Sequence, residues 1–307
     1  MESDQFSENG GMGQGAGPQQ GIILAELAPE QLTADMVGAP PPARRFWLPL
    51  ALFVGTCVST VHVGGWEYAA ALMTILVCHE MGHFLQARRY GVHSSFPYFI
   101  PMPAPPFGTF GAVILMRSRI GSRRALFDIG ISGPLAGLVP TLLFCVLGLY
   151  WSKPELALPP VLHSGPSLGA PLLFQWLSLW IHGPIPAQYE LMLGPIAYAG
   201  WVGLFITALN LFPIGQLDGG HVLYALLRRK AHAVAIILLT AAAVMVVFFW
   251  KEFPTTHGWL LMIFLLTMFG PRHPPTADDD APLGAGRIIL GWLTLAFLLV
   301  GFTPTPF

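Results

Sequence analysis

The sequence predicts an all-α polytopic membrane protein with about seven transmembrane helices (six to eight) and a membrane-dipping β-hairpin or re-entrant loop on the cytoplasmic side. Three observations carry that expectation. Only 10% of the 307 residues are charged, against about 25% in a soluble domain, so the chain lacks the ionic surface to keep a globule of its size dissolved. Hydrophobic residues make up 54%, and the mean hydropathy is +0.61. Apolar segments of spanning or near-spanning length recur from Phe46 onward, and a hydrocarbon core about 30 Å thick takes roughly 20 helical residues to cross. A formal net charge of −1 excludes a strongly basic nucleic-acid binder. Cys57, Cys78 and Cys145 all fall inside apolar runs without paired spacing, which supports neither a disulfide framework nor a Cys-based zinc site.

Residues 1–43 are rich in Gly, Gln, Ser, Pro and acids and read as a disordered cytoplasmic tail, without the order of charges and apolar residues of a signal peptide. Spans are expected at 46–63, 67–87, 127–150, 193–213, 233–250, 257–270 and 287–303. A catalytic membrane core then covers 44–230, with accessory C-terminal helices over 231–307. The stretch 168–183 carries Pro171, Trp176 and Trp180, which suits an interfacial or half-inserted helix. With the N-terminus inside, only Lys153 and Lys251 of the 15 Lys and Arg residues fall outside, as the positive-inside rule requires. The protein is therefore expected to be a multi-pass protein of the cell membrane whose active site faces the cytoplasm. Residues 95–116 are apolar but broken by Pro97, Pro101, Pro103, Pro105 and Pro106, which prevents a spanning helix. Gly108, Gly111 and the Val113-Ile114 run favour a hairpin.

The second span ends on His79-Glu80-Met81-Gly82-His83, an H-E-x-x-H pattern. On a helix the two imidazoles lie about 40° apart, one turn from each other, and can share one zinc ion. Glu80 lies close enough to take a proton from metal-bound water. Ionisable groups inside a spanning helix are expensive, so function is their default explanation. A catalytic zinc needs a third protein ligand. The acids at cytoplasmic membrane depth are Asp128 and Asp218, and Asp218 falls on the side and depth of the two histidines.

The His79–His83 motif, with Asn210-x-x-Pro213-x-x-x-Leu217-Asp218-Gly219-Gly220, resembles the site-2 protease family of intramembrane zinc metalloproteases over roughly residues 66–230. Phe107-Gly108-Thr109-Phe110-Gly111 and Ser132-Gly133-Pro134-Leu135-Ala136-Gly137 also resemble family motifs, and the chain is similar to the compact members without PDZ or CBS domains. The resemblance implies that His79, His83 and Asp218 ligate one Zn²⁺ per chain, that Glu80 is the general base and acid, and that Asn210 sits near the reacting carbonyl. The expected substrates are single-span membrane proteins in the lipid bilayer. Their helices must unwind before hydrolysis, and an exposed strand edge at Gly108, Thr109, Phe110 and Gly111 would align the unwound segment by β-addition.

Other conspicuous residues have plainer readings. Small residues spaced four apart in Ser132–Gly137 let helices approach closely. Cys78 reads as an inert thiol, His221 as an outer partner of the site, and Asp128 as a helix-start carboxylate beside Arg123 and Arg124. His273-Pro274-Pro275 and Asp278-Asp279-Asp280 read as a solvated turn. Two other functions stay open at this point. A metal transporter would use the same cluster as an ion path, although no repeat relates 46–150 to 193–303. A catalytically silent scaffold would bind membrane helices, although the motif set is complete.

Overall fold

The computed structural model describes residues 46–116, 120–156, 169–248 and 272–303, together with positions 263, 267 and 270. The tail expected over 1–43 and nearly all of the span expected over 257–270 lie outside the described residues.

The first helix, α1, runs Trp47–Arg89 but is broken at Gly65, whose φ of 81° no helix contains. The chain doubles back there. The Phe96 ring meets Phe46 at 5.9 Å and Phe84 at 5.4 Å, whereas a straight helix would hold Phe46 and Phe84 about 57 Å apart. The Gly64-Gly65 pair thus separates two antiparallel arms, matching the spans expected at 46–63 and 67–87. Residues Tyr98–Pro101 (β1) and Thr109–Val113 (β2) form an antiparallel hairpin with Phe99 opposite Ala112. Helix α2, Arg123–Trp151, starts at Ser122, whose side chain accepts from the Ala125 N–H at 3.2 Å, and contains Pro134 and Pro140.

The chain is mostly helical, as expected, but it holds a second strand pair beyond the expected hairpin. Besides the β1–β2 hairpin, Lys153–Leu156 (β3) pairs antiparallel with Tyr189–Met192 (β4), flanking α3, Leu172–His182. Strands of four residues are too short to give a firm sequence signal, and Pro154 reads against a strand. Helix α3 buries Phe174 and leaves Trp176, Leu179 and Trp180 exposed.

Helix α4, Pro195–Asn210, is buried over most of its length, as its nearly unbroken apolar sequence demands. It stops at Asn210, shortly before Pro213, which cannot extend a helix. Tyr198, Trp201 and Phe205 stack along it, and Tyr68 of α1 stacks on Tyr198 at 5.3 Å. Helices α5 (Asp218–Leu227), α6 (Lys230–Phe248), α7 (Ala285–Ala296) and α8 (Leu298–Gly301) complete the described fold. Among the described residues, α1, α2 and α6 are long and apolar enough to cross a membrane, while α3, α4 and Ala285–Gly301 are shorter apolar helices.

Polar ties hold the C-terminal helices to this core. The Arg287 guanidinium donates to both oxygens of Asp128 at 2.8 Å, and Tyr90 donates to the same carboxylate. Arg123 donates to the Ala225 and Leu226 carbonyls, capping the C-terminus of α5 with positive charge. Arg287→Met would leave the Asp128 carboxylate, only 15% exposed, without its cation. A loss of about 1–3 kcal/mol is expected, read as a lower thermal midpoint in detergent; an unchanged midpoint would show that the pair contributes nothing.

Candidate metal centre

The site forms where the second arm of α1 crosses α2 and the start of α5. Glycine makes the crossing close enough. A Cβ on Gly133 would lie 2.0 Å from His83 Nε2, one on Gly137 3.0 Å from the His79 Cβ, and one on Gly82 2.4 Å from the Ser132 carbonyl oxygen. The packing role expected for Ser132–Gly137 is therefore the observed one, and its partner is the helix that carries both histidines. Gly219 and Gly220 serve α5 in the same way: a Cβ there would fall 1.9 Å from the Leu211 oxygen and 2.4 Å from the Gly215 oxygen. The bend after α4 can thus press against the first turn of α5 and set Asp218 against the histidines.

His79, His83 and Asp218 converge, with one potential ligand atom from each lying within 4.8 Å of the others. His79 Nε2 is 3.1 Å from Asp218 Oδ2, His83 Nε2 is 3.2 Å from Asp218 Oδ1, and the two Nε2 atoms are 3.2 Å apart. Asn210 Nδ2 lies 3.3 Å from His79 Nε2. With neutral imidazoles, hydrogen bonding alone does not account for this arrangement. The His83 Nδ1–H donates to the Ile129 carbonyl at 2.7 Å, because a carbonyl only accepts. In the neutral ring Nε2 then carries a lone pair, and it faces a carboxylate oxygen and another imidazole nitrogen. A cation among them resolves the repulsion. Ligand bonds of zinc length at tetrahedral angles put neighbouring donors about 3.3 Å apart, which the three separations match. The donor set, two imidazoles and a carboxylate, suits zinc, and the fixed Nδ1–H of His83 is the customary outer support of a metal-binding histidine.

Glu80, next to His79, is buried at 6% exposure. Asn210, the last residue of α4, joins the cluster through its amide. The residues expected to meet substrate lie on the hairpin. Thr109 is buried and its hydroxyl donates to the Ile100 carbonyl at 3.0 Å, Phe110 is exposed, and Gly108 and Gly111 adopt φ of 80° and 89°. The hairpin tip is pinned to the bundle by three hydroxyls that donate to successive carbonyls: Tyr198 to Pro106 at 2.9 Å, Tyr68 to Phe107 at 2.8 Å and Ser59 to Gly108 at 2.7 Å.

The reading of 273–280 as a solvated turn holds for Pro274, Pro275, Asp278 and Asp280, which are exposed, but not for His273. His273 is buried, its Nε2 lies 2.6 Å from His221 Nδ1, and Asp279 accepts from the Tyr224 hydroxyl at 2.7 Å. Burial opposes ionisation of Asp279, yet hydrogen bonds from Thr276 and Tyr224 hold its carboxyl below the usual range. The outer role expected for His221 did not include this partner, because the Pro-Pro and Asp-Asp-Asp sequence carries no apolar signal of burial.

Comparison with known proteins agrees with this geometry. The chain is 28% identical over 251 residues to the probable zinc metalloprotease EGY2, chloroplastic, of Arabidopsis thaliana, covering 77% of this chain and 42% of that protein. It is 32% identical over 216 residues to the probable zinc metalloprotease EGY1, chloroplastic, of Oryza sativa subsp. japonica, covering 65% of this chain and 33% of that protein. The chain thus spans less than half the length of these curated relatives. The profile of peptidase family M50 matches residues 67–249, which include His79, His83 and Asp218 and the hairpin between them, and the chain belongs to that family, the site-2 proteases that its paired motifs resemble.

Proposed function

We propose that the protein is a zinc-dependent intramembrane endopeptidase that hydrolyses peptide bonds in or near the transmembrane segments of single-span membrane proteins. The observation that carries this reading is the triangle of His79, His83 and Asp218 donors at tetrahedral separations with the buried Glu80 carboxylate beside it. One Zn²⁺ held there would lower the pKa of a water toward about 7 and polarise the scissile carbonyl. Glu80 takes the proton from the attacking water and returns it to the leaving amine. The Asn210 amide donates to the developing oxyanion. The Ile129 carbonyl holds the His83 ring in one tautomer throughout. Asp218→Asn, which weakens the charge compensation of the cation, is the direct test: zinc content and cleavage should fall together, and a variant that keeps both would remove Asp218 from the site.

Seven spans with the N-terminus and active site toward the cytoplasm, in the cell membrane, remain the topology we favour, supported by the segregation of Lys and Arg and by the doubled α1. Residues 44–230 then form the catalytic core and 231–307 the accessory helices. The β1–β2 hairpin dips into the membrane, where backbone carbonyls must find donors; Ser59, Tyr68 and Tyr198 supply three. Its edge at Gly108, Thr109, Phe110 and Gly111 receives the unwound substrate. Combining Ser59→Ala, Tyr68→Phe and Tyr198→Phe removes these donors at about 1 kcal/mol each. Cleavage of a helical substrate should fall by about tenfold or more, with a short unstructured peptide cleaved as before. Equal losses on both would detach the hairpin from substrate alignment.

A further inference from the structure

Asp218 opens α5, and the next two residues, Gly219 and Gly220, carry no side chain; their backbone packs closely on the Leu211 and Gly215 carbonyls. The next side chain that can hold this turn is His221, three residues on and about 60° around the helix from Asp218. This turn packs on α2, where a Cβ at Gly130 would lie 2.8 Å from the His221 Cβ and 3.6 Å from the Asp218 backbone carbonyl oxygen.

The His221 ring is held from outside α5. His273 Nδ1 donates to the Pro274 carbonyl at 2.6 Å, so its Nε2 is the acceptor and His221 Nδ1–H is the donor of the 2.6 Å bond between the rings. Burial, against the opposing pull of the Pro274 carbonyl, brings the His273 pKa down to about 4, which keeps this ring a neutral acceptor at physiological pH. Tyr224 stacks on His273 at 4.5 Å, and His232 Nε2 lies 3.2–3.3 Å from the His273 backbone oxygen and nitrogen. The segment that carries His273 is tied down along its length. Asp279 accepts from Tyr224, Asp280 pairs with Arg228 at 2.8 Å, the Arg123 N–H donates to the Asp278 carbonyl at 3.0 Å, and Arg124 donates to the Pro282 carbonyl.

We propose that His273 is a positioning residue for the metal centre: from a C-terminal strap it fixes the His221 ring, and through it the turn that carries Asp218, so that zinc affinity depends on a side chain that touches neither metal nor substrate. This inference rests on the metal reading of His79, His83 and Asp218. Its measure is zinc affinity of the full chain in detergent, by competition with a chromogenic chelator. His273→Leu, which removes the acceptor, should bind zinc about tenfold more weakly, at the lower end of the effect of outer partners of metal ligands. His273→Gln, which presents an oxygen acceptor near the same place, should stay within about threefold, and Asp280→Asn, which frees only the exposed ion pair, should match wild type. Equal affinity in wild type and His273→Leu, or equal losses in the Leu and Gln variants, would overturn the proposal. If His273→Leu does not fold, His273→Asn replaces it, since its shorter side chain cannot reach His221; loss in Asn but not Gln supports the proposal, and equal behaviour overturns it. A wild-type chain that binds no zinc would instead overturn the metal reading beneath it.

Discussion

Glu80→Gln should reduce peptide-bond cleavage by about 10²–10⁴-fold, the range that general acid–base catalysis contributes, while the protein retains its zinc. The amide keeps the size of the buried side chain but has no basic oxygen pair to take the proton of an attacking water. The donor triangle of His79, His83 and Asp218 does not include Glu80, so metal content should stay at the wild-type level. The paired readout separates two explanations. Loss of activity with zinc retained assigns Glu80 to proton transfer, whereas loss of both would make it a ligand or a structural residue. Unchanged activity would remove it from the mechanism altogether.

Gly133→Ala should be nearly as damaging and acts through a different physical cause. The added Cβ would fall 2.0 Å from His83 Nε2 and 2.3 Å from its Cδ2, so either the ring leaves the donor triangle or α1 and α2 separate. Overpacking of this kind costs about 1–3 kcal/mol, and a displaced ligand should weaken zinc binding by more than about 100-fold, the upper end of the effect of disturbing a ligand's support. Gly286→Ala, in open space at the start of α7, is the matched control and should leave both zinc binding and stability near wild type. Metal titration of the two proteins, with thermal unfolding in parallel, checks the expectation. Wild-type zinc affinity in Gly133→Ala would show that α2 does not press on His83 as the structure has it.

The parts of the site that were legible in the sequence are those fixed by local geometry. His79, Glu80 and His83 announce themselves because a helix repeats every 3.6 residues, and Asp218 because few acids lie at membrane depth. The proline-broken stretch 95–116 signalled the hairpin, and the separate apolar runs at 46–63 and 67–87 signalled the doubling of α1. The rest depends on contacts between residues far apart in sequence. His273 meets His221 across 52 positions, and its neighbours, Pro274, Pro275 and Asp278–Asp280, have the composition of a solvent-facing turn. Gly133 was legible as a packing residue, but only the crossing of α1 and α2 shows that it presses on the His83 ring. The β3–β4 pair was illegible because four-residue strands such as Lys153–Leu156 and Tyr189–Met192 are too short to carry a pattern, and Pro154 reads against a strand.

The central claim is that His79, His83 and Asp218 hold a zinc ion for hydrolysis of a peptide bond belonging to a membrane-spanning substrate. It is tested most directly by reconstituting the full chain in liposomes with single-span reporter proteins and mapping the products by mass spectrometry, untreated, with a zinc chelator, and after zinc is restored. The expected result is new termini in or near the reporter's spanning segment that vanish on chelation and return with zinc. Products that persist in the chelator, or no zinc-dependent product from any reporter, would contradict it.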